Sequence, residues 1–424
     1  MFLTNLKGEI MKTFTAFEWL LIDIGTQFGL DKEVFEKRLD WAKENIDSLE
    51  AIGDKLQWKE KPLYIKAVMA LRKVQKGLPT GHMIGCDSTA SGVQIMSAIT
   101  GCHAGALATG LIDPEVRADV YTSSTAVMNQ TLHSKGITVD VSRANMKQAV
   151  MCSFYGSKLE PEMLFGKDTE ELECFYQTME KVAPGAWELR KDLLEAWQPY
   201  ALSHEWQLPD GFEAKVKVMQ QVTTAGGNLP RIEIDELEHY QFGYTYYENK
   251  GSKKGLSLVA NAVHSIDGYI VRTMHRKCNY DATVVRAAYA AICNAIGKPK
   301  ANPTGKVKYY IDQYERSSIA DVVILPWIGD GSALSDKHLE KLKVLCEQML
   351  QHKSFPIVTI HDSFACHAGN VDQMRFHYKE TLADLADSEI LSDLFSQIYG
   401  CKIEYTKLSN DLGDKIRNSN YAIC

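Results

Sequence analysis

Two short apolar runs, each ending in an aspartate, constrain this chain most. HMIGC, residues 82–86, leads into Asp87, and FPIVTI, residues 355–360, leads into His361 and Asp362. Both have the length and apolar character of a buried strand, and the second is rich in β-branched residues. The stretch after His361-Asp362, SFACH, is expected to return as the second arm of a hairpin. That hairpin places Asp362 where another strand-end carboxylate, Asp87, can approach. A lone aspartate after a strand is commonly only a cap. Two that meet across a sheet offer the hard oxygen ligands that magnesium prefers.

Between the two runs lies SRANMKQAVMCSFYGSK, residues 142–158. It reads as a helix with Ser142 as N-cap and Gly156 as stop. Arg143 and Lys147 are four apart and share one face. Tyr155 and Gly156 close the segment. Two fixed cations and an aromatic hydroxyl suit a triphosphate at one end and a sugar or base at the other. The bland alternative is a solvated helix face.

Jointly, D-x3-S-G-x-Q from Asp87, R-x3-K-x7-Y-G from Arg143 and H-D-S-F from His361, in this order, resemble the three polymerase motifs of the T7-type single-subunit RNA polymerases of phages and mitochondria. NAVHSIDG, residues 261–268, resembles a further segment of that family and presents His264. By itself, a lone histidine in an apolar run is more often a core residue. The resemblance implies an α+β right-hand fold, with a small antiparallel palm sheet and mainly helical fingers. The amino-terminal domain and thumb are expected to be largely missing. The implied divisions are a helical amino-terminal segment, 1–78, for partner docking or DNA contact; a first palm part, 79–109; fingers, 110–256; and a second palm part, 257–424. The last carries the His361-Asp362 motif at 355–367 and an insertion at about 278–354.

The resemblance also implies the chemistry, DNA-directed RNA synthesis. Joining a 3′-hydroxyl to an α-phosphate is mostly a matter of positioning and charge, and two divalent cations stabilise the attacking and leaving oxygens. Asp87, Asp362 and the backbone carbonyl of Ser88, where the family commonly has Gly, are expected to hold two Mg2+ ions. Arg143 and Lys147 are expected on the β- and γ-phosphates, with Lys147 also a proton donor. Tyr155, with Gly156 and His264, is expected to sense the ribose 2′-hydroxyl, and His361 to position the primer end. The partners implied are DNA template, RNA product and rNTPs. One rival is an A-family DNA polymerase, which usually carries Glu soon after its first motif Asp; Asp87-Ser-Thr-Ala-Ser-Gly has none. The other is a noncatalytic scaffold with a polymerase fold.

Only 86 residues precede Asp87, and no Gly-Arg dipeptide occurs. In this the chain resembles the larger, palm-bearing subunit of the two-chain RNA polymerase of N4-like phages. A smaller subunit in a heterodimer and a single-stranded-DNA-binding recruiter are the further partners expected. Residues 421–424 loosely resemble a family segment tucked near the active site.

The formal charge of −7 argues against a large nonspecific DNA-binding shell but not against a local basic groove. The ten cysteines form no C-x2-C pair, which excludes a zinc ribbon. Their placement in apolar runs (Cys152, Cys293, Cys346) points to buried, reduced thiols and a cytoplasmic protein, in the bacterial host if phage-encoded. No apolar run reaches about 18 residues, so no membrane span is expected, and the first 14 residues lack a secretory apolar core.

Elsewhere, residues 1–50 read as helices for packing or docking, with no chemistry of their own. Residues 56–78 read as a basic amphipathic stretch, in which Lys66, Arg72, Lys73 and Lys76 face either a phosphate backbone or solvent. Asp113-Pro114 is read as a helix opening, PDGF at 209–212 as a turn, and 159–250 as mainly helical. The insertion holds two loops, KPKANPTGKVKYY and ILPWIGDGSALS, and the flexible, basic 298–308 is a candidate for contact with nucleic acid or a second protein.

Overall fold

The computed structural model describes residues 11–59, 61–237, 240–253 and 255–424. The first ten residues of the expected helical amino-terminal segment, including most of the stretch tested for a secretory core, lie outside the described residues. A three-stranded antiparallel sheet sits at the centre, in the order Met83–Asp87, Ser363–His367, Val358–Ile360. The register pairs Met83 with His367 and Asp87 with Ser363. The period-2 alternation sends Ile84, Cys86, Phe364 and Cys366 into the core and leaves Gly85 and Asp87 on the open face. Helix Val371–Ala386 backs the sheet, and its Tyr378 ring lies 5.5 Å from that of Phe364.

Residues 421–424 run along the other edge of Met83–Asp87. The Asp87 N–H donates to the Cys424 carbonyl at 3.3 Å, and the Cys424 N–H to the Asp87 carbonyl at 3.0 Å. Gln94 holds this segment from below. Its Nε2 donates to the carbonyls of Thr109 and Ala422 at 2.9 and 3.0 Å, and its Oε1 accepts from the Tyr378 hydroxyl at 3.3 Å. The glutamine of D-x3-S-G-x-Q is therefore a buried brace. Gln94→Ala strands three buried polar groups and is expected to destabilise the fold by about 2–4 kcal/mol. A denaturant melt measures this, and an unchanged midpoint would contradict the bracing role.

The amino-terminal helices Ala16–Gly25, Phe35–Glu44 and Lys61–Gln75 share the main core through Trp19, Phe35, Tyr64 and Leu71. Buried Asp23 meets His82 Nε2 at 2.6 Å, tying the first helix to the entry of the central strand. The segment is thus an integral layer of the core, the packing role expected of it. Within the expected basic stretch, Arg72 is bound by both Glu50 oxygens at 2.8 and 2.9 Å, which removes it from the phosphate-contacting set. Lys66, Lys73 and Lys76 remain exposed.

Two expectations are corrected and a third is filled in. The stretch 159–250 is helical only through Pro184–Glu195; strands Ser203–Gln207 and Glu213–Lys217 then pair, and an exposed two-stranded ribbon runs out to Arg231–Glu233 and Gln241–Gly243. Charged residues there obey a period of two, not 3.6: Ala214 and Val216 point in while Glu213, Lys215 and Lys217 point out. Asp113 opens no helix. Its carboxylate accepts from the N–H groups of Glu115 and Val116, a local turn that competes with helix initiation, and the helix Val120–Ser134 starts at Asp119 instead. The insertion, beyond the two loops named in it, is a helical unit. Helices Ala282–Ala295, Gly305–Ser317 and Asp336–Leu350 enclose a second core that includes Ile292, Leu325, Leu339 and Cys346. The basic loop ends where the helix starts at Gly305, and Lys306 lies 3.8 Å over the Trp327 ring.

The PDGF turn is as expected, with Gly211 at φ +82°. Its Asp210 is clamped by Arg272 at 2.6 Å and Arg276 at 3.2 Å on the long helix Leu256–Cys278, and Arg276 also reaches Asp321 of the insertion at 3.3 Å. All ten cysteines are free thiols; Cys346 is buried, but Cys152 is half-buried and Cys293 exposed, because each lies on the outer side of its helix. No helix among the described residues is long and apolar enough to cross a membrane.

Candidate active site

Asp87 and Asp362 come together because one ends a strand and the other occupies the turn that feeds its neighbour. The turn from Ile360 to Ser363 has His361 at φ +54°, the left-handed geometry that tight hairpins demand at this position. Ala90, just after Asp87, is also left-handed at φ +57°. Two non-glycine residues in this region, both beside the carboxylates, mark a backbone held in place by its surroundings. Ser88 links the pair directly. Its hydroxyl donates to Asp362 Oδ2 at 2.7 Å, and its N–H to the Asp362 carbonyl at 3.4 Å.

A cleft of about 660 Å³ opens over these carboxylates. Its far wall is the helix Arg143–Ser153. Ser142 caps this helix, accepting from the Asn145 N–H, as expected, but the helix stops at Ser153 rather than running to 158. Gly156, at φ +95°, turns the chain. Tyr155 therefore stands in the turn after the helix, which swings its ring across the cleft floor.

Arg143 and Lys147 share the cleft face of the helix. Both lie 5.6 Å from the centre of the Tyr121 ring. Arg143 is also held by Asp119, through Nε at 2.9 Å and Nη2 at 2.6 Å to the same oxygen. Burial pushes the Asp119 carboxyl up, but the hydrogen bond and charge of Arg143 outweigh it and hold the group below the usual carboxylate range. Lys147 makes no ion pair among the described residues.

Tyr155 meets two partners: its ring lies 4.9 Å from that of His264, and its hydroxyl stands against the helix start at Gly92. Burial, then the charge of Asp267, raises its hydroxyl to about 12, so it stays a proton donor at neutral pH. His264 is exposed to the cleft side, not a core residue. One turn on, Asp267 is pushed up to about 6 by burial and then by the charge of Asp362, with His361 opposing.

The structure thus gathers Asp87, Ser88, Arg143, Lys147, Tyr155 and Asp362 along one cleft, with His264 against Tyr155. His361 and Gly156 flank it and shape its turns. Sequence reading missed Asp119, Tyr121 and Asp267. The signal for Asp267 was its place three residues after His264, on the same helix face. It also missed Thr26, Gln27, Asp31 and Lys32, which line the cleft. Their signal is faint: a π-helical turn, Thr26–Leu30, with Gly29 at φ +108°, a type of irregularity common at functional sites. Among the described residues no three His, Cys, Asp or Glu side chains cluster as a closed metal site. Two carboxylates and a backbone carbonyl still fit Mg2+, which keeps waters and substrate oxygens in its shell.

The family model for DNA-dependent RNA polymerase matches residues 13–163 and 340–420, more than half of the chain. The chain belongs to that family. Among curated proteins, no relative matches the chain. The first matched block spans the amino-terminal helices, Asp87, Arg143, Lys147 and Tyr155; the second contains His361 and Asp362. The family likeness therefore begins near residue 13, well before the first motif at Asp87. The amino-terminal helices of this polymerase-family chain are part of the common framework, in keeping with the cleft residues they supply. The ribbon, His264 and Asp267 fall between the matched blocks.

Proposed function

We propose that this cleft extends RNA on a DNA template by two-metal nucleotidyl transfer from rNTPs. The observation that carries the reading is the meeting of Asp87, which pairs with Ser363 across the antiparallel register, and Asp362, the residue before Ser363, in one cleft opposite a helix face bearing Arg143 and Lys147. In this reading the central sheet is the palm, in parts at 79–109 and 257–424. The fingers, 110–256, are helical only in their first part.

Asp87, Asp362 and the Ser88 carbonyl would hold the two Mg2+ ions. When bound, such ions supply positive charge to the attacking and leaving oxygens. The Ser88 hydroxyl fixes the rotamer of Asp362, a task that Gly at this position leaves undone. Lys147 faces the β- and γ-phosphates and gives a proton to the departing pyrophosphate. Arg143 joins it, held in aim by Asp119. Tyr155 donates its hydroxyl hydrogen bond to the ribose 2′-oxygen, and His264 sets the ring's tilt. His361, exposed at the hairpin tip, contacts the primer end. Tyr155→Phe is expected to lower the preference for rNTPs over dNTPs roughly three- to tenfold, the worth of one hydrogen bond, with little loss of rNTP extension. Competition kinetics on one template measure it, and an unchanged ratio removes Tyr155 from sugar selection.

A second chain completing the enzyme, as in a phage heterodimer, is the finer part of the reading. Its support is the exposed ribbon, where Ile232, Tyr240, Phe242 and Tyr247 stand exposed among the described residues; a two-stranded ribbon is marginal alone. The test is extension of an RNA primer on a DNA template with magnesium and either rNTPs or dNTPs. Ribonucleotide extension is the expected result; preferential use of dNTPs, or no extension in any arrangement, overturns the reading.

A further inference from the structure

We propose that Arg117 is a triphosphate-binding residue of the cleft, acting beside Lys147; this rests on the nucleotidyl-transfer reading. Arg117 lines the same cleft as Asp87, Arg143 and Lys147. It lies two residues before Asp119, the carboxylate that holds Arg143, and so shares the phosphate-facing wall.

The cleft cations differ in how their charge is met. Arg143 is paired with Asp119 at 2.6 Å, and Lys32 with Asp31 at 2.9 Å. Arg117 makes no ion pair among the described residues. Its Nη1 reaches only the Ala118 carbonyl, at a long 3.5 Å, and its Nε–H is closed off from solvent without an acceptor. A half-buried guanidinium with an unmet donor is unfavourable unless an anion completes it. The planar fork of arginine suits phosphate oxygens in particular.

The loop that carries Arg117 is already fixed. Asp113 accepts from Glu115 and Val116 N–H at 2.8 and 3.0 Å. Asn420 Nδ2 donates to the Pro114 carbonyl at 2.8 Å, and Lys12 pairs with Glu115 at 2.9 Å. Asp119 then caps the next helix. The cost of ordering is therefore met before any nucleotide arrives, as binding sites require. No motif marks Arg117, because Asp113-Pro114 reads by itself as a helix start.

The test is equilibrium binding of pyrophosphate and of a fluorescent rNTP to wild type, Arg117→Ala and Arg117→Lys. Extension kinetics and primer–template affinity are followed in parallel. The expected result for Arg117→Ala is a roughly tenfold or greater rise in the rNTP KM and in the pyrophosphate dissociation constant, the worth of a charge-assisted hydrogen bond. Primer–template affinity stays unchanged, and Arg117→Lys restores part of the loss. An extending wild type whose alanine variant binds pyrophosphate and rNTP equally well overturns the proposal alone. Weakened primer–template affinity with unchanged pyrophosphate binding moves Arg117 to the nucleic-acid backbone and overturns it too. A wild type that neither extends RNA nor binds rNTPs overturns the polymerase reading and this proposal with it. A thermal melt of each variant, with Arg117→Lys as the fold-preserving control, separates these outcomes from a folding defect.

Discussion

Asp362→Asn is expected to abolish RNA extension, by more than about a hundredfold, while the protein stays folded. A residue that only supports a metal ligand is worth roughly 10–100-fold, so in the proposed reading, where Asp362 is itself a ligand, its loss should exceed that. The fold survives because Asn matches Asp in shape. The Ser88 hydroxyl, 2.7 Å from Oδ2, rotates to accept from the new amide N–H instead of donating to a carboxylate. What is lost is the negative charge, and with it the hard, anionic ligand. Raising magnesium should recover little, because Asp87 alone cannot bridge two ions. The measurement is primer extension over a magnesium titration, with a thermal melt as control. Activity within about threefold of wild type would remove Asp362 from the metal site and leave the sheet's carboxylate pair without a catalytic role.

The second large effect is expected from Gly92→Ala, a substitution that looks conservative in a helix. By propensity alone it should stabilise helix Ser91–Thr100 by about 1 kcal/mol. Geometry decides otherwise. A Cβ on Gly92 would stand 2.3 Å from the Tyr155 hydroxyl oxygen and 2.7 Å from its ring carbon Cζ. The tyrosine ring is stiff and is flanked by His264 at 4.9 Å, so it cannot yield by a small rotation. It must leave its place, and overpacking of this kind costs about 1–3 kcal/mol. The expected outcome is a rate of ribonucleotide extension about tenfold to a hundredfold lower, and weakened rejection of dNTPs, without unfolding. Combining it with Tyr155→Phe should recover part of the rate, since the nearest clashing atom is gone; the two changes should not add. Wild-type extension by Gly92→Ala would mean that the position of Tyr155 does not matter to the reaction.

Gly92 also explains how much of the site could be read beforehand. The motif D-x3-S-G-x-Q was legible as a pattern, but not the separate reasons for its parts. Asp87 carries charge to the cleft, Gly92 makes room for an aromatic ring from a distant turn, and Gln94 braces residues 421–424. The last two are contacts between segments far apart in the chain, and no local signal encodes them. The helix end is similar. Ser142 as cap and Gly156 as turn were visible because both act through local backbone chemistry. That Tyr155 would thereby leave the helix and meet His264 was not.

Misread segments failed where local and tertiary preferences compete. Lys215 and Lys217 looked compatible with a helix, yet a strand forms because Trp206, Ala214 and Val216 need one buried face. In the insertion only the loops were legible, because its Gly, Pro and Lys residues stand at the joints between helices whose core is assembled only when all three pack. Arg72 looked free until folding brought Glu50 to it.

What the chain determined by itself was the chemistry: two aspartates at strand ends, an arginine and a lysine four apart, a tyrosine before a glycine. Such spacing carries information because strand ends and helix faces repeat with fixed periods. What only the tertiary structure decided was which groups face each other and which are already satisfied. It paired Arg143 with Asp119, left Arg117 without an ion pair among the described residues, set Asp267 near Asp362, and turned the amino-terminal helices into one side of the cleft. Those outcomes depend on distances between segments remote in sequence, and a distance is fixed only when the core closes around it.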